Sequence, residues 1–208
     1  MANSLRYNGP KDAPLTLALA HGAGAPMDHP FMETVAKGIA AAGFRVARFE
    51  FPYMAKRRED GKRRPPDREP VLRETFAEIA GRLGAGRLAI GGKSMGGRIA
   101  SMMADELGAS GLVCLGYPFH APGKPDRVRA DHLASIRTPT LIVQGERDPF
   151  GTREEIADYA LGRKVELAFL PDGEHSFKPR KSSGHTEEEN LARAVAAVAG
   201  FLERIAPR

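Results

Sequence analysis

Three residues far apart in the chain have the types that acyl-transfer chemistry requires: Ser94, Asp148 and His175. A serine hydroxyl at its free pKa is a weak nucleophile, so a neutral imidazole within hydrogen-bond reach must take its proton as it attacks. A carboxylate on the far imidazole nitrogen fixes the tautomer and stabilises the imidazolium that forms. Ser94 is the centre of Gly92-Lys93-Ser94-Met95-Gly96, a G-x-S-x-G string. Where such a string joins a strand to a helix, the serine sits on a sharp, strained turn with its hydroxyl clear of the backbone. A Cβ at either glycine would crowd the adjoining strand or helix. The helix that follows points its N-terminal amides at any anion formed beside the serine. Taken alone, the string is equally open to a plain glycine-rich turn. Gly92-Lys93-Ser94 also looks like the end of a phosphate-binding loop, G-x-x-x-x-G-K-[ST]. Against that, the pattern's first glycine falls on Arg87, and Leu88-Ala89-Ile90 between them is apolar enough to be strand.

The elements needed to position these residues follow from the apolar pattern. Residues 15–20, 44–51, 88–90, 111–116, 140–143 and 165–170 read as strands, with a further one near 3–8. Residues 31–42, 71–83, 95–107, 153–161 and 186–205 read as helices, the last opened by a Thr186/Glu189 capping box. A helical turn is expected near 131–136, and a Pro- and Gly-rich loop over 118–130. The charged, Pro-rich stretch 55–70 is expected to be a mobile insertion loop. Strands that are apolar along their length and alternate with helices predict an α/β fold in one domain spanning 1–208. Its mostly parallel sheet has six to seven strands, with helices on both faces. Ligands bind beyond the carboxyl ends of such strands. His21-Gly22-Ala23-Gly24, Ser94, Asp148 and His175 each follow a strand, so all are expected on one sheet edge.

Composition sets outer bounds. The 208 residues suffice for one sizeable core, with 42% apolar and 27% charged residues. The single cysteine, Cys114, lies in an apolar run and is expected to be buried, and no intrachain disulfide can form. No apolar stretch approaches the ~20 residues that span a membrane, and the N-terminus lacks a signal-peptide core. A soluble, cytoplasmic protein without membrane contact is the expectation, and no oligomeric state is read from the sequence. The net charge is +5, concentrated in residues 56–73, which hold eight Lys or Arg against four acids. No aromatic residues are interleaved there as a nucleic-acid stacking platform would need, so a solvated basic loop is preferred to nucleic-acid binding. No His/Asp/Glu cluster has metal-ligand spacing, so neither a metal nor an organic cofactor is expected.

The chain resembles the α/β-hydrolase superfamily over nearly its whole length, and most of all its small, capless members of the dienelactone hydrolase and carboxylesterase type. The stretches that carry this are His21-Gly22 with its loop, Gly91-Gly-Lys-Ser-Met-Gly-Gly97, Gly145-Glu-Arg-Asp148 and Gly173-Glu-His175-Ser-Phe. The order Ser, Asp, His is also that superfamily's. The resemblance implies Ser94 as nucleophile, Asp148 as acid and His175 as base. It further implies an oxyanion hole from the backbone N–H of Met95 and one from the 21–24 loop, Ala23 being preferred to Gly24. It gives His21 a structural role under that loop. His185 is a rival base but has no strand just before it, and Asp172 is a rival acid that breaks the order. His29, His120 and His132 are expected to be exposed. Many relatives insert a helical cap after the strand matching 111–116, and here only a short Pro- and Gly-rich segment stands in that place. An open site follows, with Met27, Met95, Phe119 and Phe150 as apolar walls by position. The basic segment leaves the same edge and is placed to favour an anionic acyl substrate. The leading reading is a serine hydrolase acting on a small-molecule ester, thioester or related acyl bond. The alternatives are a hydrolase-fold interaction module and a nucleic-acid binder.

Overall fold

The computed structural model describes residues 4–207. Its strands are β1 (Arg6–Asn8), β2 (Thr16–Ala20), β3 (Arg45–Phe49), β4 (Leu88–Lys93), β5 (Gly111–Leu115), β6 (Thr140–Gly145) and β7 (Val165–Leu170). Its α-helices are α1 (Pro30–Ala41), α2 (Pro52–Asp60), α3 (Glu69–Leu83), α4 (Met95–Met103), α5 (Arg153–Ala157) and α6 (Glu187–Ile205). The strands form a seven-stranded sheet in the order β1-β3-β2-β4-β5-β6-β7. All pairs are parallel except β1 with β3.

Strands β2 to β6 are buried along nearly their whole length because both of their faces are covered. In β2, Leu17 and Leu19 enter one core with Phe31, Val35 and Ile39 of α1 and Val198, Phe201 and Leu202 of α6. Ala18 and Ala20 point the other way, into a core with Phe76 and Ile79 of α3 and Ile99 and Met103 of α4. Phe49 and Phe76 meet edge to face there, centroids 5.1 Å apart, a geometry worth about 0.5–1.5 kcal/mol beyond the area it buries. The capping box at Thr186 and Glu189 is formed. Cys114 is fully buried. The register sets Gly92 opposite both Ala20 and Cys114, and Gly145 opposite Leu170. The carboxyl ends of β2, β4, β5, β6 and β7 therefore finish along one edge.

The elements differ from the sequence reading in five places. β4 does not stop at Gly91 but runs to Lys93, because the missing Cβ atoms let neighbouring backbones close in without breaking the ladder. α4 ends at Met103, and α5 is five residues long. The edge strand β7 exposes Glu166 and Leu167, since only one side of it is covered by a neighbouring strand. The fifth difference is α2. Residues 55–60 of the expected loop are helical, and Pro52, which ends the strand, occupies the first helical turn, where its fixed φ and missing N–H cost nothing. Tyr53 and Met54 bury against the core, and Gly61 closes the helix with φ 73°. Residue 3 of the expected first strand lies outside the described residues. Among the described residues, no helix is long and apolar enough to cross a membrane.

Candidate active site

Ser94 is the residue between β4 and α4. Its backbone is held at φ 51°, ψ −117°, a region that costs a non-glycine residue of order 1–3 kcal/mol. The flanking glycines permit the turn. A Cβ on Gly92 would lie 2.5 Å from the Gly96 carbonyl carbon, and one on Gly96 would lie 2.6 Å from the His21 carbonyl oxygen. The Ser94 N–H is tied back to the Leu115 carbonyl at 2.9 Å.

His175 lies in the turn after β7. Asn190 of α6 pins that turn, its Nδ2 donating to the Pro171 carbonyl at 3.0 Å and the Phe177 carbonyl at 2.8 Å. Asp148 follows β6 and is fully buried. Its carboxylate accepts from the Phe150 N–H at 2.9 Å and from Gln144 Nε2 at 3.0 Å. Gln144 is itself clamped on both atoms of its amide to the backbone of Tyr117. His175 Nδ1 lies 2.8 Å from Asp148 Oδ2, and its Nε2 lies 2.8 Å from Ser94 Oγ. With a carboxylate on one side, the imidazole proton belongs on Nδ1, which leaves the Nε2 lone pair facing the hydroxyl. A hydroxyl, imidazole and carboxylate linked in this way can move a proton off the oxygen as it attacks an acyl carbon.

The loop facing Ser94 is fixed from below. His21 Nε2 accepts the Phe51 N–H at 3.1 Å, so its Nδ1 proton is donated to the Gly22 carbonyl at 2.6 Å. Burial lowers the His21 pKa and favours this neutral form. Tyr53 Oη donates to the Ala23 carbonyl at 3.0 Å and reaches the Gly22 carbonyl at 3.4 Å. Arg57 Nη1 donates to the Gly24 carbonyl at 3.2 Å. Burial raises the Tyr53 pKa far above neutrality, so the phenol stays a donor. Between Ser94 and this loop opens a cavity of about 310 Å³, whose walls include Ala23, Phe31, Met32, Lys93, Phe150 and His175.

Phe150 is on that wall, its ring 4.3 Å from the His175 ring. Three other expected wall residues are elsewhere. Met27 is 2% exposed, its backbone bonded to Arg48 and Glu50 beneath the loop. Phe119 is fully buried against Tyr117 and Tyr159. The Met95 side chain is partly buried and packs on the core shared by α3 and α4. Asp172 is engaged by Arg147 and Arg180 instead of by a histidine, and Arg180 holds its carboxyl down to about 2. His185 stands before α6, away from the cavity wall. His29 is exposed as expected, but His120 is buried beside Glu155, and half-buried His132 bonds Ser101. The basic segment does not hang free over the cleft: Arg58 pairs with Glu50 and Asp28, and Arg64 pairs with Asp60. Sequence reasoning missed Tyr53, Arg57 and Gln144, whose partners are backbone carbonyls or a residue already assigned. It also passed over Lys93, although a lysine ending an apolar, glycine-rich strand is an available signal.

Comparison with known proteins agrees with this fold. A family model described as an alpha/beta hydrolase domain matches residues 13–203. An α/β serine hydrolase without a lid from Xanthomonas campestris superposes with a TM-score of 0.73 at 20% identity, covering 98% of this chain and 89% of that one. A dienelactone hydrolase from Anabaena variabilis gives a TM-score of 0.68 at 20% identity, covering 96% and 88%. A local match of 47% identity over 45 residues links the chain to ABHD14B of Pongo abelii, named as a candidate protein-lysine deacylase. That match spans 22% of this chain and 21% of the relative.

Proposed function

Because the chain belongs to the alpha/beta hydrolase domain family, we propose that it is a serine hydrolase that cleaves a carboxylic ester, thioester or related acyl bond through an acyl-enzyme on Ser94. The observation that carries this reading is the unbroken hydrogen-bonded line from Asp148 through His175 to Ser94, 2.8 Å at each step, opening into a cavity. Ser94 Oγ attacks the acyl carbon while His175 Nε2 takes its proton. Asp148 holds Nδ1 and offsets the imidazolium charge. The negative oxygen of the tetrahedral intermediate is received by the backbone N–H groups of Met95 and Ala23. His175 then gives its proton to the leaving group, and water reverses the sequence to free the acid. Each oxyanion donor is worth on the order of 10²–10³ in rate.

A cavity of about 310 Å³ is at the small end of ligand sites and favours short acyl groups. The local likeness to a candidate lysine deacylase adds acyl-lysine amides to the substrates worth testing. The deciding experiment is covalent labelling with a fluorophosphonate probe. Wild type should label and Ser94→Ala should not. Absence of labelling at every pH from about 6 to 9, a range that spans the ordinary imidazole value of about 6.5, would sink the proposal in favour of a non-catalytic interaction role.

A further inference from the structure

Lys93 is the residue of this neighbourhood that the proposed chemistry leaves unused. It ends β4, a strand otherwise made of apolar residues and glycine. The residue is 9% exposed, and its ammonium is buried with no hydrogen-bond partner among the described residues. The face of Phe31 lies beside it, 5.6 Å from Nζ to the ring centroid. The position of Nζ follows from Gly116, just beyond β5. A Cβ placed there would lie 2.9 Å from Lys93 Nζ, 2.9 Å from the His175 carbonyl oxygen and 3.3 Å from His175 Nδ1. Gly116 also holds φ 64°, where side chains are disfavoured. A bare backbone thus leaves a small opening bordered by the Lys93 ammonium, the His175 carbonyl and the His175 ring. Burial lowers the lysine to about 8, against the opposing pull of Asp148 and Glu174, so it is still largely charged at neutral pH.

We infer that Lys93 is a positioning residue for the base: its fixed charge, held beside the His175–Asp148 pair in a water-poor space, discourages protonation of the resting imidazole and keeps it ready to take the Ser94 proton. The inference rests on the proposed roles of Ser94 and His175. The cost to catalysis is limited, because the proton that moves to His175 leaves an oxyanion behind, so Lys93 then faces a neutral pair rather than a lone imidazolium. Around this pair, Asp148 from the loop after β6 bonds His175, Lys93 ends β4 beside it, and Glu174 from the His175 turn adds its pull on Lys93. His29, before α1, shares the cavity wall.

The test follows the His175 ring by NMR titration, its signal assigned by loss in His175→Asn. The variants are Lys93→Met, which keeps the stem and removes the charge, and Lys93→Arg, which keeps the charge. The titration midpoint should rise by about half a pH unit or more in Lys93→Met and stay near wild type in Lys93→Arg. The acidic limb of fluorophosphonate labelling should move with it. An unmoved midpoint in Lys93→Met, with near-UV circular dichroism of a folded protein, overturns the inference. Equal movement in both variants also overturns it, since packing rather than charge would then be responsible. The titration needs no turnover. A midpoint raised in Lys93→Met, alongside a wild type that never labels, would therefore remove the hydrolase reading while upholding the electrostatic coupling.

Discussion

A desolvated ammonium marks stability as well as reactivity. Lys93 titrates near 10.5 in the unfolded chain and is lowered to about 8 in the fold. Between those values the unfolded chain binds the extra proton, so stability rises with pH through that window and is lowest below it. The shift corresponds to about 3 kcal/mol at most, at 1.36 kcal/mol per unit. Lys93→Met should accordingly unfold at higher urea concentration than wild type at pH 7 and lack the rise between pH 8 and 10.5. Equal midpoints would mean that Asp148 and Glu174 already offset the desolvation. At this scale the sequence was readable where chemistry follows directly from position along the chain. Ser94, Asp148 and His175 each come just after a strand, and a strand end fixes which edge a residue occupies. Loop residues carry no such rule, and for this reason Met27 and Phe119 could be placed at the edge but not given a direction. Both point inward.

At the scale of the element, α2 supports the 22–24 loop, for which the oxyanion role is proposed. Tyr53 and Arg57 sit four residues apart, on one face of the helix, and hold the carbonyls of Ala23 and Gly24. Tyr53→Phe removes a donor worth about 1 kcal/mol without emptying the site. Hydrolysis of p-nitrophenyl acetate should lose about fivefold in kcat with little change in KM, because the loop's alignment matters more in the transition state than in binding. An unchanged kcat would show that His21 and Arg57 suffice to set the loop. The sequence hid α2 because five of its nine residues are charged and only Tyr53 and Met54 are buried. No apolar stripe of helical period exists to be seen. The long helices α1, α3 and α6 were visible for the opposite reason, each burying a full stripe against the sheet. Arg58 also changes meaning here. Joined to Glu50 and Asp28, it ties α2 to the segment before α1 rather than reaching toward an anionic substrate.

For the molecule as a whole, alternation of apolar runs with helical stripes was enough to anticipate a mostly parallel sheet covered on both faces. The order of the strands was not written there. The pairing of β2 with both β3 and β4 depends on which crossovers pack, a property of three-dimensional contacts. One consequence concerns the sequence in which the molecule comes apart. The bond between Ser94 and His175 joins positions 81 residues apart, and His175 hangs from β7, the exposed edge of the sheet. Edges with little buried surface open at lower free energy than the centre. In rising urea, probe labelling at Ser94 should therefore fade before the far-ultraviolet circular dichroism of the sheet and helices, and coincident curves would contradict this. Activity would then act as a strain gauge on one margin of the protein, failing first where the fold is thinnest while Ser94 itself stays rooted in the middle.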